Sequence, residues 1–211
     1  MATRLRVGRG IGKTETEASI ELFQGVKTRS GSNAPPPLVS DGWGGHREAL
    51  VEVYGQVPDY RGLGRPPTHK QPQAGWQYLQ MVKQRENGRV IGMHARVIYG
   101  DTTDLDPHTA YVERTNLTSR HMTGRLVRKT LGFSKALAML RAACAWEDVV
   151  YNLARHVKTL RVEVNEGARR WQQRSPAMAA GLTDHIWTIR ELLTRVPVPI
   201  NTYCALHMNL N

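Results

Sequence analysis

One carboxylate heads the most basic stretch of the chain. In "YVERTNLTSRHMTGRLVRKTLGFSK", residues 111–135, Glu113 is the only acid, and no other follows until Glu147. Between those two acids lie seven Lys and Arg: Arg114, Arg120, Arg125, Arg128, Lys129, Lys135 and Arg141. On a helix, positions 113, 116, 117 and 120 share one face, because offsets of three, four and seven are close to whole turns. That face presents the Glu113 carboxylate, the Asn116 amide, Leu117 and the Arg120 guanidinium. A solvated ion-pair face is the ordinary fate of such residues. Arg120, however, stands two turns from Glu113, beyond the reach of an i,i+4 pair. The rest of the helix is basic, so an anion is expected along it. Asp41, in "LVSDGWGG", supplies a second acid where a strand ends, the edge at which α/β sheets present functional groups. Taken alone, it is equally an ordinary turn residue.

The elements that must position these side chains follow from periodicity and punctuation. "TRLRVGRGIGK", residues 3–13, reads as a strand, a Gly-rich turn and a second short strand. Thr14 with Glu17 three residues on predicts a capping box. The helix it starts carries Ala18, Leu22 and Val26 on its apolar face and ends in "RSGSNAPPP". Leu38 to Ser40 is expected to be a short buried strand stopping at Asp41, and "HREALVEVYG" a short helix. Residues 58–75 form a basic Pro- and Gly-rich loop. "RVIGMHARVIYG" reads as a strand bent at Gly92. Pro107 is placed in the first turn of the helix bearing Glu113. The next helix is expected after Phe133 with Ser134 as its cap, burying Met139, Ala142, Ala143, Trp146, Val149, Val150 and Leu153. A last helix follows "SPAMAAGL", capped by Thr183 or Asp184, and the tail after Val198 is loose. Strands first, helices after, with one strand–helix–strand crossover, make an α/β layer fold with a helical C-terminal half.

The bulk numbers set the partner class. The chain has 211 residues, and 29 Lys and Arg against 18 Asp and Glu give a net charge of +11. Such a surface attracts polyanions, nucleic acid foremost. Its apolar content, 40%, argues for a folded core rather than disorder. Cys144 and Cys204 are too few and too far apart for a zinc site, and fit a reducing compartment. No apolar run approaches the roughly 20 residues of a membrane span, so a cytoplasmic protein without membrane or small-molecule partners is expected. "GRGIGKTE" is not a phosphate loop, because Val7 stands where the spacing needs Gly. The eight His show no ligand spacing, and Trp146, Trp171 and Trp187 are expected to pack in cores or against helices rather than stack on bases.

"LVSDGWGGHREAL", "HTAYVERTNLTSRHMTGRLVRKTLGFSK" and "RSPAMAAGLTDHIWTIRELL" together resemble the catalytic part of a transposase of the insertion-sequence-one family, from about Thr3 to Val198. The resemblance implies a ribonuclease-H-like mixed sheet flanked by helices, and DNA strand cleavage and transfer by two Asp and one Glu around divalent metal, Mg2+ or Mn2+. It implies that Asp41 matches the second Asp and Glu113 the Glu, both catalytic and both metal ligands. Arg120 matches the basic residue that holds DNA near the cut, and Asn116 belongs to the same pattern. Arg125, Arg128 and Lys129 are expected on the backbone of double-stranded DNA. In-line displacement at phosphorus suits two magnesium ions that activate the entering oxygen and stabilise the leaving one.

The family's first Asp, on its first central strand, has no counterpart here. Asp101, Asp104 and Asp106 are expected to be solvated turn residues rather than substitutes. An N-terminally truncated transposase is therefore expected, weak in metal binding and in strand transfer when alone. The non-catalytic alternative is a basic DNA-binding protein that competes with intact transposase. Unpaired backbone on the strand ending at Asp41 leads one to expect self-association, hence a homo-oligomer.

Overall fold

The computed structural model of the protein describes residues 3–60, 62, 64–107, 109–127, 129–166 and 169–195. The architecture is mixed α and β with small sheets. The chain divides into two compact units, Val7–Gly132 and a second one joining Met1–Arg6 to Phe133–Asn211.

In the Val7–Gly132 unit, local chemistry starts the first helix where the sequence says it should. Helix α1, Glu15–Ser30, begins at Thr14, whose hydroxyl accepts the Glu17 N–H at 3.1 Å. The Glu17 carboxylate reaches back to the Lys13 N–H at 2.9 Å, satisfying an orphan donor from the other side. The buried stripe of α1 is Ser19 and Phe23. Ala18, Leu22 and Val26 are instead half-buried beneath the N-terminal segment. A Cβ on Gly10 would fall 1.7 Å from the Ala18 carbonyl oxygen, and one on Gly8 would lie 3.1 Å from Leu22. Those close approaches are what the glycines are for. Residues 3–13 accordingly form no strand, correcting the strand–turn–strand reading.

Strand β1, Leu38–Asp41, helix α2, Gly45–Tyr54, and strand β2, Tyr78–Glu86, make a strand–helix–strand crossover, its second strand not among the expected elements. β1 and β2 run parallel, Leu38 opposite Tyr78 and Asp41 opposite Met81. Strand β3, Arg89–Tyr99, returns antiparallel, giving the order β1-β2-β3 with β1 at the edge. As an edge strand β1 is half-buried, not buried as expected. β2 has no counterpart among the expected elements, though its signal is in the chain. Asn87 and Gly88 both take positive φ, 48° and 77°, the backbone that a two-residue hairpin turn demands. Near Gly92 the register slips: Gln84 faces Gly92 while Arg85 faces Val90, a one-residue bulge at the expected bend. Phe23, Ala49, Leu50, Tyr54, Trp76 and Tyr78 form the core between the helices and the sheet. Each large apolar side chain among them contributes about 1.5–3 kcal/mol by leaving water. The basic loop closes at its base through paired backbone bonds between Gln56 and Gln71, 3.1 and 2.8 Å. Helix α3, Ala110–Met122, starts after Thr109, so Pro107 lies ahead of it rather than in its first turn.

The second unit departs further from expectation. Helix α4, Leu137–Val149, follows Ala136 without a side-chain cap and runs into a π turn, Val150–Ala154. Ser134 is therefore not its cap. Met139 and Trp146 of the predicted apolar face are 51% and 41% exposed, and the buried positions are Cys144, Glu147 and Tyr151. Arg6 explains the rotation. Its guanidinium lies on Glu147, 3.0 Å from Asp148 Oδ1 and 3.7 Å from the Tyr151 ring centre. The Asn152 side chain pairs with the Arg6 backbone as a strand would, at 2.9 and 2.8 Å. A hairpin of β4, Val162–Glu166, and β5, Arg169–Gln172, interrupts the C-terminal half in which helices are expected to dominate. Helices α5, Pro176–Ala179, and α6, Ile189–Arg195, complete the unit. The box that begins α6 is Thr188 with Glu191, whose bonds of 2.8 and 3.2 Å are reciprocal. Thr183 and Asp184 do not cap it. Trp171 carries the Arg161 guanidinium 4.2 Å from its centre, and Trp187 stacks on His185. The buried tryptophan is Trp76, not Trp146, Trp171 or Trp187. The tail expected after Val198 lies outside the described residues.

Truncating Arg6 to Ala leaves Glu147, whose side chain is 3% exposed, buried without its guanidinium partner. The expected loss is about 3 kcal/mol in urea unfolding. Arg6→Ala combined with Glu147→Leu should recover most of it, and equal losses in both variants would refute the pairing.

Candidate functional site

Asp41 is the last residue of β1, and its side chain is 64% exposed. Its Oδ1 accepts the Trp43 N–H at 3.2 Å, folding "SDGWGG" into a tight turn. The same oxygen lies 3.4 Å from His46 Nε2 in the first turn of α2. His46 Nδ1 is 3.2 Å from the hydroxyl of buried Ser19. Ser19 has a proton to give, so Nδ1 accepts it and the neutral ring turns its Nε2–H to Asp41. Burial holds the His46 pKa below its ordinary value, opposed by the negative charges of Asp41 and Glu15. A cavity of about 280 Å³ opens beside these groups, lined by Glu15, Ser19, Asp41, Trp43 and His46. Spacing along the chain gives no histidine a ligand role, yet His46 belongs to this site. Its signal is the glycine turn, which brings an imidazole five residues downstream back onto the acid.

A bulkier network fixes the far side of the turn. Gln80 is 1% exposed and donates from Nε2 to the Trp43 carbonyl at 3.1 Å and to Tyr78 OH at 2.8 Å. Tyr78 OH is 2.8 Å from Ser40 Oγ, which donates to the Asp41 carbonyl at 2.7 Å. Ser40 has one proton and directs it there, so Tyr78 must be the donor to Ser40. Burial raises the Tyr78 pKa, more than its hydrogen bonds to Ser40 and Gln80 lower it, and so keeps that proton in place.

Glu113 is exposed on α3, and its Oε1 meets Lys83 Nζ of β2 at 3.1 Å. The partner that helix spacing could not supply comes from another element. With the two side chains 42% and 59% exposed, this pair adds little to stability. Its role is positional. Met81 lies opposite Asp41, and Lys83, two residues on, points to the same side of β2 as Met81. The strand beside Asp41 thus carries the cation that holds Glu113. Asn116 and Leu117 are exposed and Arg120 is half-buried, while Ser119, on another side of α3, is buried and takes a bond from Arg9 at 3.1 Å. Arg125 and Lys129 are exposed, and Arg128 lies outside the described residues. Asp101 accepts from the Thr103 N–H at 3.0 Å and hydroxyl at 2.8 Å, the turn role expected of it, and those bonds lower its pKa.

Among the described residues, no group of three or more His, Cys, Asp or Glu is arranged to hold a metal ion. The donor chemistry is two carboxylates, Asp41 and Glu113, each with one oxygen engaged by a protein donor. No family model, curated protein or solved structure matches the chain.

The His46 geometry sets a titration. Its imidazole should lose its proton below the ordinary value of about 6.5 in two-dimensional NMR, and lower still in Asp41→Asn. Because the unfolded chain binds that proton more readily, the stability from His46 is present above about pH 6.5 and lost as pH falls through the folded value. A midpoint at or above that of a free histidine would contradict the Ser19–His46–Asp41 arrangement.

Proposed function

We propose that the Val7–Gly132 unit is the phosphoryl-transfer domain of a transposase, or its DNA-binding remnant, acting on double-stranded DNA. The observation that carries the reading is the Lys83–Glu113 contact on the strand next to Asp41, with a basic helix beginning at that carboxylate. A ribonuclease-H-like arrangement suits the order of elements. An acid ends the first strand of a parallel crossover, and a second acid stands on a later helix. The exposed edge of β1 favours a homo-oligomer, and a cytoplasmic site of action goes with DNA as substrate.

Asp41 and Glu113 would hold magnesium or manganese, with water completing the shell, as magnesium requires few protein ligands. Such an ion supplies Lewis-acid polarisation of a phosphodiester. The chain's own residues orient and anchor. The Trp43 N–H and His46 fix one oxygen of Asp41. Lys83 keeps Glu113 extended towards β2. Arg120, Arg125 and Lys129 hold the DNA backbone without reading sequence. Two carboxylates suit one hydrated ion better than two. That observation favours the second reading, a non-catalytic DNA-binding protein that competes with an intact enzyme.

Duplex binding should weaken when Arg120, Arg125 and Lys129 are replaced by Ala. The slope of log K against log salt should become shallower by about 0.9 for each phosphate no longer neutralised. Glu113→Gln should leave duplex affinity intact or raised and abolish any magnesium-dependent nicking of plasmid DNA. Collapse of affinity instead would make Glu113 structural and end the metal reading. Lys83→Gln, by freeing Glu113, should tighten Mn2+ binding by up to about fivefold, the strength of an exposed ion pair, read by electron paramagnetic resonance. Unchanged Mn2+ affinity would mean that Glu113 is not a ligand.

A further inference from the structure

On the α2 side of the three-stranded sheet lies a groove of about 1010 Å³, walled by α2, by residues 69–72 and by β3. Gln80 lines it. Gln80 and Lys83 are three positions apart on β2 and so face opposite sides of the sheet. The groove is thus separate from the Glu113 face.

Its charges do not cancel. Lys70 and Glu52 neutralise one another at 2.7 Å. That leaves Arg47 and Arg96 against Glu48, with His69 nearby. Arg47 directs Nε to Tyr99 OH at 3.1 Å, and its guanidinium stands 5.9 Å from the Tyr99 ring centre. That bond raises the Arg47 pKa. Arg96 donates one Nη2 bond to the buried Gln80 Oε1 at 2.5 Å. Both guanidinium groups are therefore oriented by fixed partners, and each keeps nitrogens for a ligand. Two oriented guanidiniums suit phosphates, which Arg binds through paired donors. The Tyr99 ring beside them, half-buried at the groove wall, suits an unpaired base, which stacks on aromatic side chains.

We infer that this groove binds a single strand of nucleic acid, with Arg47 and Arg96 on successive phosphates and Tyr99 beside a base. A duplex, whose bases are stacked within, cannot offer both features to one groove. The Arg96 contact also reaches the other site. Arg96 holds Gln80, Gln80 holds the Trp43 carbonyl and Tyr78, and Tyr78 reaches the Asp41 carbonyl through Ser40. A strand seated on Arg96 thus loads the same polar chain that shapes the Asp41 turn. The inference stands apart from metal binding, and it is tested without metal.

The experiment is fluorescence anisotropy of short labelled oligo(dT) and oligo(U) on the full chain in EDTA. Arg47→Ala should weaken binding by roughly tenfold and Arg47→Glu by more, with thermal unfolding unchanged, since Arg47 lies outside the buried chain. Glu113→Gln should bind the strand as the wild type does. Equal affinity of Arg47→Glu and wild type would overturn the proposal. So would thymidine monophosphate competing as well as the oligonucleotide, which would make the ligand a free nucleotide. Polyglutamate competing as well would also overturn it, making the ligand an acidic peptide. Failure of magnesium-dependent nicking would leave this result untouched, so the two readings fall separately.

Discussion

A buried amide governs the Val7–Gly132 unit. Gln80 sits on the central strand of a three-stranded sheet at 1% exposure, where an unsatisfied polar group costs about 1–3 kcal/mol. Every bond it makes also shapes something else. Its Nε2 holds the Trp43 carbonyl, which sets the turn after Asp41, and Tyr78 OH, which sits in the hydrophobic core. Its Oε1 takes Arg96 from β3. Replacing such a residue by an apolar one would unseat three elements together. Networks of this kind specify one arrangement because only one arrangement satisfies all of their members.

Around that network, charge is distributed by depth. The buried positions Ser19, Gln80 and Tyr78 carry neutral donors and acceptors, and the half-buried His46 is held neutral beside Ser19. The carboxylates, Asp41 and Glu113, are left exposed, where ionisation costs little. The second unit does the opposite. Its Arg6–Glu147 contact sets opposite charges in the interior.

Legibility in the chain depends on whether the determining contact is local. The Thr14–Glu17 cap and the short strand that stops at Asp41 are short-range patterns, and they stand in the structure. The Asn87-Gly88 turn is equally local, yet the strand before it, "YLQMVKQRE", is buried at one end and polar at the other, which hides the alternation. The α4 face is legible only in part, through the half-buried Ala143, Val149, Val150 and Leu153. Its orientation is decided by Arg6, more than a hundred residues away, whose guanidinium makes Glu147 and Tyr151 the inner positions in place of Met139 and Trp146. The site follows the same rule. Asp41 and Glu113 are legible as acids at strand end and helix start. Lys83 and His46 are not, because each partner pair joins two elements.

The first six residues belong with the part of the chain that follows residue 132, and everything between is a compact unit of its own. Ribosomes deliver polypeptide in order, so the opening arm emerges long before the helix that contains Asn152 exists. Until then the Arg6 backbone lacks the Asn152 amide that mimics a neighbouring strand, and its guanidinium lacks Glu147 and Asp148. The intervening unit can complete its own sheet meanwhile, since all three of its strands precede residue 100. Maturation is thereby ordered in time: the unit from Val7 to Gly132 first, and the two segments flanking it joined last, when α4 closes on an arm that has been waiting.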